Sequence, residues 1–173
     1  IGLLSVFVSL IPRAVIALIF IFIGFEIMRQ AYKDSPAAHS PAVSLSILPV
    51  IASMVLIVLG QFTGASGIIL EKLPGRLLIM HQTLTMLSNG FIITGLLWGS
   101  MLAFLIDHQA KRAALCAAIS AILTLFGVIH SVLPTGELYL PWHIQSQAHY
   151  MTALAYAALS AILLLFAHPK TEA

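Results

Sequence analysis

Long apolar stretches separated by short polar turns dominate the chain. A membrane-crossing helix needs roughly 20 predominantly apolar residues. Stretches of about that length lie at residues 12–31, 41–60, 77–107, 113–132 and 147–167. Residues 1–10 are also apolar, and Pro12 separates them from the first full stretch. The pattern predicts an all-α, polytopic transmembrane helix bundle with about five spanning helices, preceded by the end of a truncated helix.

The third stretch differs from the others because its two halves differ in polarity. The first half, Leu77 to Asn89, mixes apolar residues with histidine, glutamine, threonine and serine, whereas Gly90 to Ile106 is almost wholly apolar. We therefore predict a polar, tilted or interfacial half-helix that leads into a span broken at Asn89-Gly90.

Composition supports lipid as the main partner of this chain. Hydrophobic residues make up 60% of the sequence and charged residues only 8%, and the mean hydropathy is +1.04. A soluble domain is roughly 45–50% apolar and about 25% charged. The small net charge of +2 does not indicate nucleic-acid binding. Cys116 is the only cysteine, which excludes a disulfide framework and a cysteine-based zinc site within one chain.

Basic residues suggest an orientation, because cytoplasmic loops are enriched in Lys and Arg. One side of the predicted bundle carries five: Arg29, Lys33, Lys111, Arg112 and Lys170. The other side carries three: Arg13, Lys72 and Arg76. We therefore expect a cytoplasmic C-terminus, with the 133–146 loop and its interfacial aromatic residues outside.

The beginning of the chain is not a signal peptide, because Ile1 is neither an initiator Met nor part of a basic leader. We expect a fragment entered within a hydrophobic segment. The remainder of the protein upstream of Ile1 is then an expected partner.

Small residues at four-residue spacing predict close helix packing, since helices in lipid associate through close contact and hydrogen bonds. These helix-packing candidates are Gly95, Gly99, Ala113, Ala117, Ala121, Ala153, Ala157 and Ala161. An intramolecular bundle is the simpler interpretation, and a homo-oligomer interface is the alternative.

Ionisable and polar residues at membrane depth are candidates for a transport pathway. The candidates are Glu26, His81, Gln82, Thr85, Ser88 and Asn89. Glu26 precedes Arg29 by three residues, so an interfacial ion pair explains it equally well. Four of the others, His81, Thr85, Ser88 and Asn89, share one helix face. That face must meet protein or a water-filled cavity, so it is either a structural hydrogen-bonded seam or a pathway lining.

Seven histidines raise the alternative of a bis-His haem cytochrome. His130 and His149 are expected close to one interface, with His130 and Ser131 capping the fourth span, which disfavours haem. HExxH, GxSxG and P-loop motifs are absent from the sequence. We therefore predict no enzyme, no catalytic or metal-binding residue and no cofactor. A purely structural membrane subunit stays open.

Three stretches resemble segments of the xanthine/uracil permease-like (nucleobase transporter) family. Leu10 to Met28 resembles a late helix of that family that a proline opens, and Ala42 to Gly60 resembles the following span. Ser88 to Trp98 resembles the last conserved span, with its small-polar-glycine start. The resemblance covers roughly residues 1–107.

The resemblance implies a secondary transporter of two inverted repeats, in which a gate domain rocks against a substrate-binding core domain. Residues 1–107 would be C-terminal gate-type helices, and 108–173 an additional helical hairpin, all within a single membrane domain 1–173. The family's substrate-binding carboxylates lie on earlier helices, so no residue here inherits that role. The additional hairpin departs from the family and puts nucleobase specificity in question.

Overall fold

The computed structural model describes residues 13–67, 69, 72 and 74–167, so the predicted helix end at 1–10 lies outside the described residues. Six α-helices are present in the described part. They are α1 (Arg13–Asp34), α2 (Ser40–Ser66), α3 (Gly75–Ser88), α4 (Phe91–Ile106), α5 (Ala110–Leu125) and α6 (Ala148–Leu165). Residues described by the structure form no β-strand. The predicted all-α class is confirmed.

Among the described residues, two helices are long and apolar enough to cross a membrane: Ala37–Ser66, which includes α2, and Ala148–Leu165, which is α6. The number rises to three if the bent pair of α3 and α4 is one broken span. The 16 residues of α5 extend about 24 Å at 1.5 Å per residue, less than the roughly 30 Å hydrocarbon core. The chain is a membrane-associated helical protein.

Helix α2 is longer than its apolar run predicts. The helix was predicted to end at residue 60, but it continues for six further residues, up to Ser66. The hydroxyls of Thr63 and Ser66 donate to carbonyls one turn back, at Leu59 and Phe62. These polar side chains are therefore satisfied by their own helix, so polarity alone does not end it.

Helix α5 is shorter than predicted, because it stops at Leu125 and not at residue 132. Gly127 and His130 both have positive φ, 71° and 54°. Such residues leave the right-handed helical region. The segment from Phe126 to Leu133 consequently leaves the helix and turns back toward α3.

The predicted break at Asn89-Gly90 is confirmed. Helix α3 ends at Ser88, α4 begins at Phe91, and the two axes differ by 77°. Gly90 has φ 72°, and a Cβ on it would lie 2.3 Å from the Val128 carbonyl oxygen. Only glycine fits this elbow, because both the backbone conformation and the close approach exclude a side chain.

Small residues mediate the helix contacts around α5. Helix α5 packs against both α4 and α6, and Ala113, Ala117 and Ala121 are all buried. Gly95 and Gly99 allow α2 to approach α4, since a Cβ on Gly95 would lie 2.5 Å from the Ser46 carbonyl oxygen. These five residues therefore lie where close packing occurs.

The predicted alanine stripe on α6 needs a correction. Ala153 is buried, but Ala157 and Ala161 are exposed. The buried residues of α6 are His149, Ala153, Tyr156 and Ser160. A spacing that alternates between three and four residues follows the 3.6-residue helical repeat, whereas a strict four-residue spacing drifts off the buried face.

The described chain separates into two compact units, one up to Ser40 and the other from Pro41 onward. The first contains α1 and the 3₁₀ turn Ala37–His39. The second contains helices α2 to α6, and the short turn between α4 and α5 lies within it. The single-domain organisation 1–173, with its division at residue 107, stays a prediction.

Candidate functional site

A polar junction lies where the α3–α4 elbow meets the segment between α5 and α6. We define this elbow junction by the side chains of Asn89, Trp98, His130 and Tyr156. His130 and Tyr156 are buried, with exposed fractions of 5% and 9%. Buried polar groups in an apolar protein need hydrogen-bond partners, and here they find them in one another.

The His130 ring bonds at both nitrogens. Its Nε2 lies 2.8 Å from the Tyr156 hydroxyl, and its Nδ1 lies 3.2 Å from the Met86 carbonyl oxygen. The indole nitrogen of Trp98 donates to the same Tyr156 hydroxyl at 2.6 Å. His130 also stacks on the Tyr156 ring, with centroids 5.7 Å apart. The imidazole therefore connects α3, through Met86, to α6.

The partners of the junction fix its proton positions. A carbonyl can only accept, so Nδ1 of His130 carries the ring proton and donates to Met86. An indole N–H can only donate, so the Tyr156 oxygen accepts from Trp98. In the neutral ring Nε2 of His130 carries no proton, so it accepts the Tyr156 O–H. The result is a one-way chain of donors from Trp98 through Tyr156 and His130 to Met86, with a neutral imidazole.

Asn89 fastens the elbow to the segment after α5. Its side-chain amide donates to the carbonyls of Ser131 and Leu133, both at 2.8 Å. The backbone carbonyl of Asn89 accepts a hydrogen bond from the His130 backbone N–H at 3.0 Å. The elbow itself cannot continue the helical hydrogen-bond pattern, so these contacts replace part of what the break removes.

The electrostatic state of the junction follows from its burial. His130 lies after the end of α5, and burial lowers the pKa of its ring below the ordinary value, which the hydrogen bond to Met86 opposes. The neutral ring is also the form that the hydrogen-bond chain requires. Protonation at Nε2 would replace the acceptor that the Tyr156 hydroxyl uses, so the chain of donors would be broken.

Part of the polar face predicted on α3 is buried against other segments of the protein. Thr85 is buried, His81 and Ser88 are half-buried, and Gln82 is exposed. The Thr85 hydroxyl donates to the His81 carbonyl of its own helix at 2.9 Å. Of the predicted pathway residues, Asn89 is thus the one whose side chain bonds to a different segment.

Glu26, the remaining pathway candidate, lies on the exposed surface of α1. It accepts a hydrogen bond from Nε of Arg29 at 2.9 Å and forms a second contact with Nη2 of the same residue. This i,i+3 pair is the one that the ion-pair interpretation predicts.

A second buried histidine lies at the start of α6. His149 has no exposed surface, and within the described part of the chain neither ring nitrogen has a hydrogen-bond partner. The His149 and Tyr139 rings form a T-shaped pair with centroids 5.4 Å apart, and the centroids of the His149 and Tyr150 rings are 4.0 Å apart. Gly127 makes room for Tyr139, because a Cβ there would lie 2.6 Å from its ring.

His130 and His149 were not expected to be buried in the bundle, and this was wrong, because both rings are buried inside the protein. Their closeness to a membrane interface stays a prediction. Sequence reasoning missed them because their depth depends on the early end of α5 and on the return of its following segment. Trp98 and Tyr156 were also missed, although tryptophan and tyrosine within apolar helices are a signal that polar tips need partners. Both nitrogens of His130 are engaged, so this histidine is not poised as a haem ligand.

Comparison with known proteins identified no relative of this chain. No family model matches the chain, and neither the curated proteins nor the solved structures yielded a significant match.

Proposed function

We propose that this chain is the C-terminal membrane portion of a secondary transporter of the xanthine/uracil permease type, for a nucleobase or a similar small solute. Its helices act as gate or scaffold helices beside a substrate-binding domain elsewhere in the protein. The observation that carries the proposal is the 77° elbow at Asn89-Gly90 within an otherwise apolar helix pair. The sequence resemblance of residues 1–107 gives the solute class.

Broken helices are a recurrent feature of secondary transporters, in which they form substrate and ion sites near the middle of the bilayer. Irregular backbone at membrane depth is tolerated where protein or a cavity surrounds it. The elbow fits this condition, because Asn89 and His130 tie it to the segment after α5.

The proposed location is the bacterial cytoplasmic membrane, with the C-terminus in the cytoplasm. The five-to-three distribution of Lys and Arg supports this orientation. In the second unit, Lys111 and Arg112 lie at the start of α5, and Ser160 near the end of α6 bonds to Ala114. These contacts put the C-terminal end of α6 beside the basic α4–α5 turn. A C-terminal fluorescent or phosphatase fusion tests the side.

Uptake by the whole protein tests the transport proposal. Cells that express it should accumulate radiolabelled uracil or xanthine above vector-only cells, and unlabelled solute in excess should compete. The variant Asn89→Ala, which removes two hydrogen bonds from the elbow, should reduce the initial rate several-fold. Gly60→Ala is the matched control, because a Cβ at Gly60 meets nothing within 4 Å. Correctly inserted protein without flux of either solute would contradict the proposal.

A further inference from the structure

The segment between α5 and α6 exposes large apolar side chains on backbone outside the α-helices. Leu138 and Trp142 are 70% and 69% exposed, and Leu140 between them is 43% exposed. We call these three residues the loop surface. The intervening Tyr139 and Pro141 are half-buried, so the segment has one side against the protein and one side away from it. Exposed apolar patches mark sites where a protein or a membrane binds.

A hydrogen bond fixes the depth of the loop surface relative to α6. The Tyr150 hydroxyl donates to the Pro141 carbonyl at 2.9 Å, and Tyr150 lies in the first turn of α6. Helix α6 has 18 residues and is about 27 Å long at 1.5 Å per residue, slightly less than the roughly 30 Å hydrocarbon core. The first turn of a spanning α6 therefore lies at the edge of the hydrocarbon, and the loop surface lies beside it.

The loop surface continues the apolar exterior of α6. Met151 and Leu154 are 63% and 64% exposed, on a helix that is long and apolar enough to cross a membrane. Leu138 and Leu140 also form part of the wall of an open pocket of about 490 Å³. The other residues of this wall are Phe126, Val128, Tyr139 and His143. None of the six is Asp, Glu, Lys or Arg, so the wall is suited to acyl chains and offers no charged group to water.

Charge sets a limit to how far the segment enters the membrane. Among residues 126–147, Glu137 is the only Asp, Glu, Lys or Arg, and it is exposed next to Leu138. A carboxylate within hydrocarbon is costly, so Glu137 stays among the headgroups. Tryptophan also favours the headgroup level, with its ring against the acyl chains. Trp142 and Glu137 therefore place the segment at the membrane boundary and not at the centre.

We infer that the segment between α5 and α6 inserts into the membrane, where Leu138, Leu140 and Trp142 contact lipid acyl chains. The side chains reach about 5–10 Å into the boundary between headgroups and hydrocarbon, as the apolar side of an interfacial helix does. Lipid is the partner that this surface fits, because the surface adjoins the exposed apolar side of α6 and is flanked by the polar residues Glu137 and Gln145. The inference depends on membrane association and is independent of the transport proposal.

Spin-label accessibility in the full-length protein, reconstituted in phosphatidylcholine–phosphatidylglycerol vesicles, tests this inference. Nitroxides are attached to Leu138→Cys and, separately, to Trp142→Cys, in a Cys116→Ala background without other reactive cysteines. Oxygen enters lipid, whereas a polar nickel chelate is excluded from hydrocarbon. Both labels should therefore collide readily with oxygen and at least about threefold less with the chelate than a label in water does.

Two matched labels calibrate the measurement. Leu154→Cys, on the exposed apolar side of α6, gives the values for lipid, and Lys111→Cys, exposed in the first turn of α5, gives the values for water. Values of the Leu154 type at both test positions support the inference. Access of the chelate at either position as high as at Lys111 would show an aqueous loop and overturn it. Low access of both reagents at either position would show that protein covers the surface, and would also overturn it.

Tryptophan fluorescence tests the same surface without a label. The signal that Trp142→Phe removes from the wild-type spectrum belongs to Trp142, and the variant keeps an aromatic ring at that position. Lipids brominated in the upper part of the acyl chain should quench this signal about twofold or more, because the indole lies at their level. Quenching by aqueous iodide and not by brominated lipid would overturn the inference. Thermal unfolding establishes that each variant is folded.

Discussion

His130 and His149 are both buried, but they differ in the hydrogen bonding of their ring nitrogens. The two nitrogens of His130 bond to Met86 and Tyr156, whereas neither nitrogen of His149 has a partner. His130 lies at a turn that joins three helices through hydrogen bonds. His149 lies behind Tyr139, beside a pocket.

One buried histidine is therefore hydrogen-bonded and stabilises the fold, whereas the other is buried without hydrogen bonds in the described part of the chain. A satisfied histidine holds its neighbours in place, so its removal should destabilise the protein. An unsatisfied histidine costs free energy, so its replacement by an apolar residue should not. The following predictions test this contrast.

The largest effect is expected at Gly90, which forms the elbow that brings Asn89 to His130. The variant Gly90→Ala places a Cβ 2.3 Å from the Val128 carbonyl oxygen, at φ 72°. We expect a loss of about 3 kcal/mol in the free energy of unfolding, measured by SDS titration in mixed micelles. Gly60→Ala, in open space within α2, should change stability by less than about 1 kcal/mol. Equal effects of the two substitutions would contradict the steric account of the elbow.

A smaller loss is expected for His130→Asn, which removes the imidazole from the elbow junction. Asparagine tolerates the positive φ of 54° at this position, so the loss reports the hydrogen bonds and packing. Hydrogen bonds in membrane proteins contribute about 0.6–1.7 kcal/mol each, so we expect about 2 kcal/mol.

The matched control for this substitution is His108→Asn, since His108 also has a positive φ, 58°, but is exposed. Its unfolding free energy should equal that of the wild type within error. A loss as large at His108 as at His130 would show that backbone conformation, and not the junction, is responsible.

Acidification should weaken the junction because burial lowers the pKa of His130. The unfolded chain then binds a proton at higher pH than the folded chain, so stability falls as pH decreases below the ordinary histidine pKa of about 6.5. Above that pH the contribution is fully present. We expect the stability difference between wild type and His130→Asn to shrink by about 1 kcal/mol or less between about pH 7.5 and 5.5. A difference independent of pH would contradict a neutral His130 in the folded state.

The smallest effect, with the opposite sign, is expected for His149→Leu. Leucine removes two buried nitrogens that have no partners among the described residues, so the stability should stay equal or rise by up to about 1 kcal/mol. Thermal unfolding of the purified protein measures the sign. A loss comparable to that of His130→Asn would mean that His149 has partners in the membrane-embedded protein.

Local pattern predicted several elements well. The span predicted at 147–167 matches α6 at Ala148–Leu165, and the break at Asn89-Gly90 lies where the polar and apolar halves meet. Both depend on residues adjacent in sequence. The end of α5 was missed, because the apolar residues after Leu125 continue a helical pattern while Gly127 and His130 adopt positive φ.

The junction could not be assembled from sequence because its partners are distant along the chain. Trp98 and Tyr156 are 58 residues apart, and Asn89 and Leu133 are 44 apart. Asn89 was among the predicted candidates because its polarity stands out at membrane depth. The position of Tyr156 in an apolar helix signals that its hydroxyl needs a partner, but the local sequence does not identify that partner.

The sequence by itself determined that this protein is helical and membrane-associated, and where its main break falls. Apolar run length, proline and glycine act within one helix, so their consequences can be predicted locally. Only the tertiary structure decided which polar side chains are buried and which of them are satisfied. That depends on how separate helices approach one another, and the same residue type gives a hydrogen-bonded link at position 130 and a buried ring at position 149 whose nitrogens lack partners among the described residues.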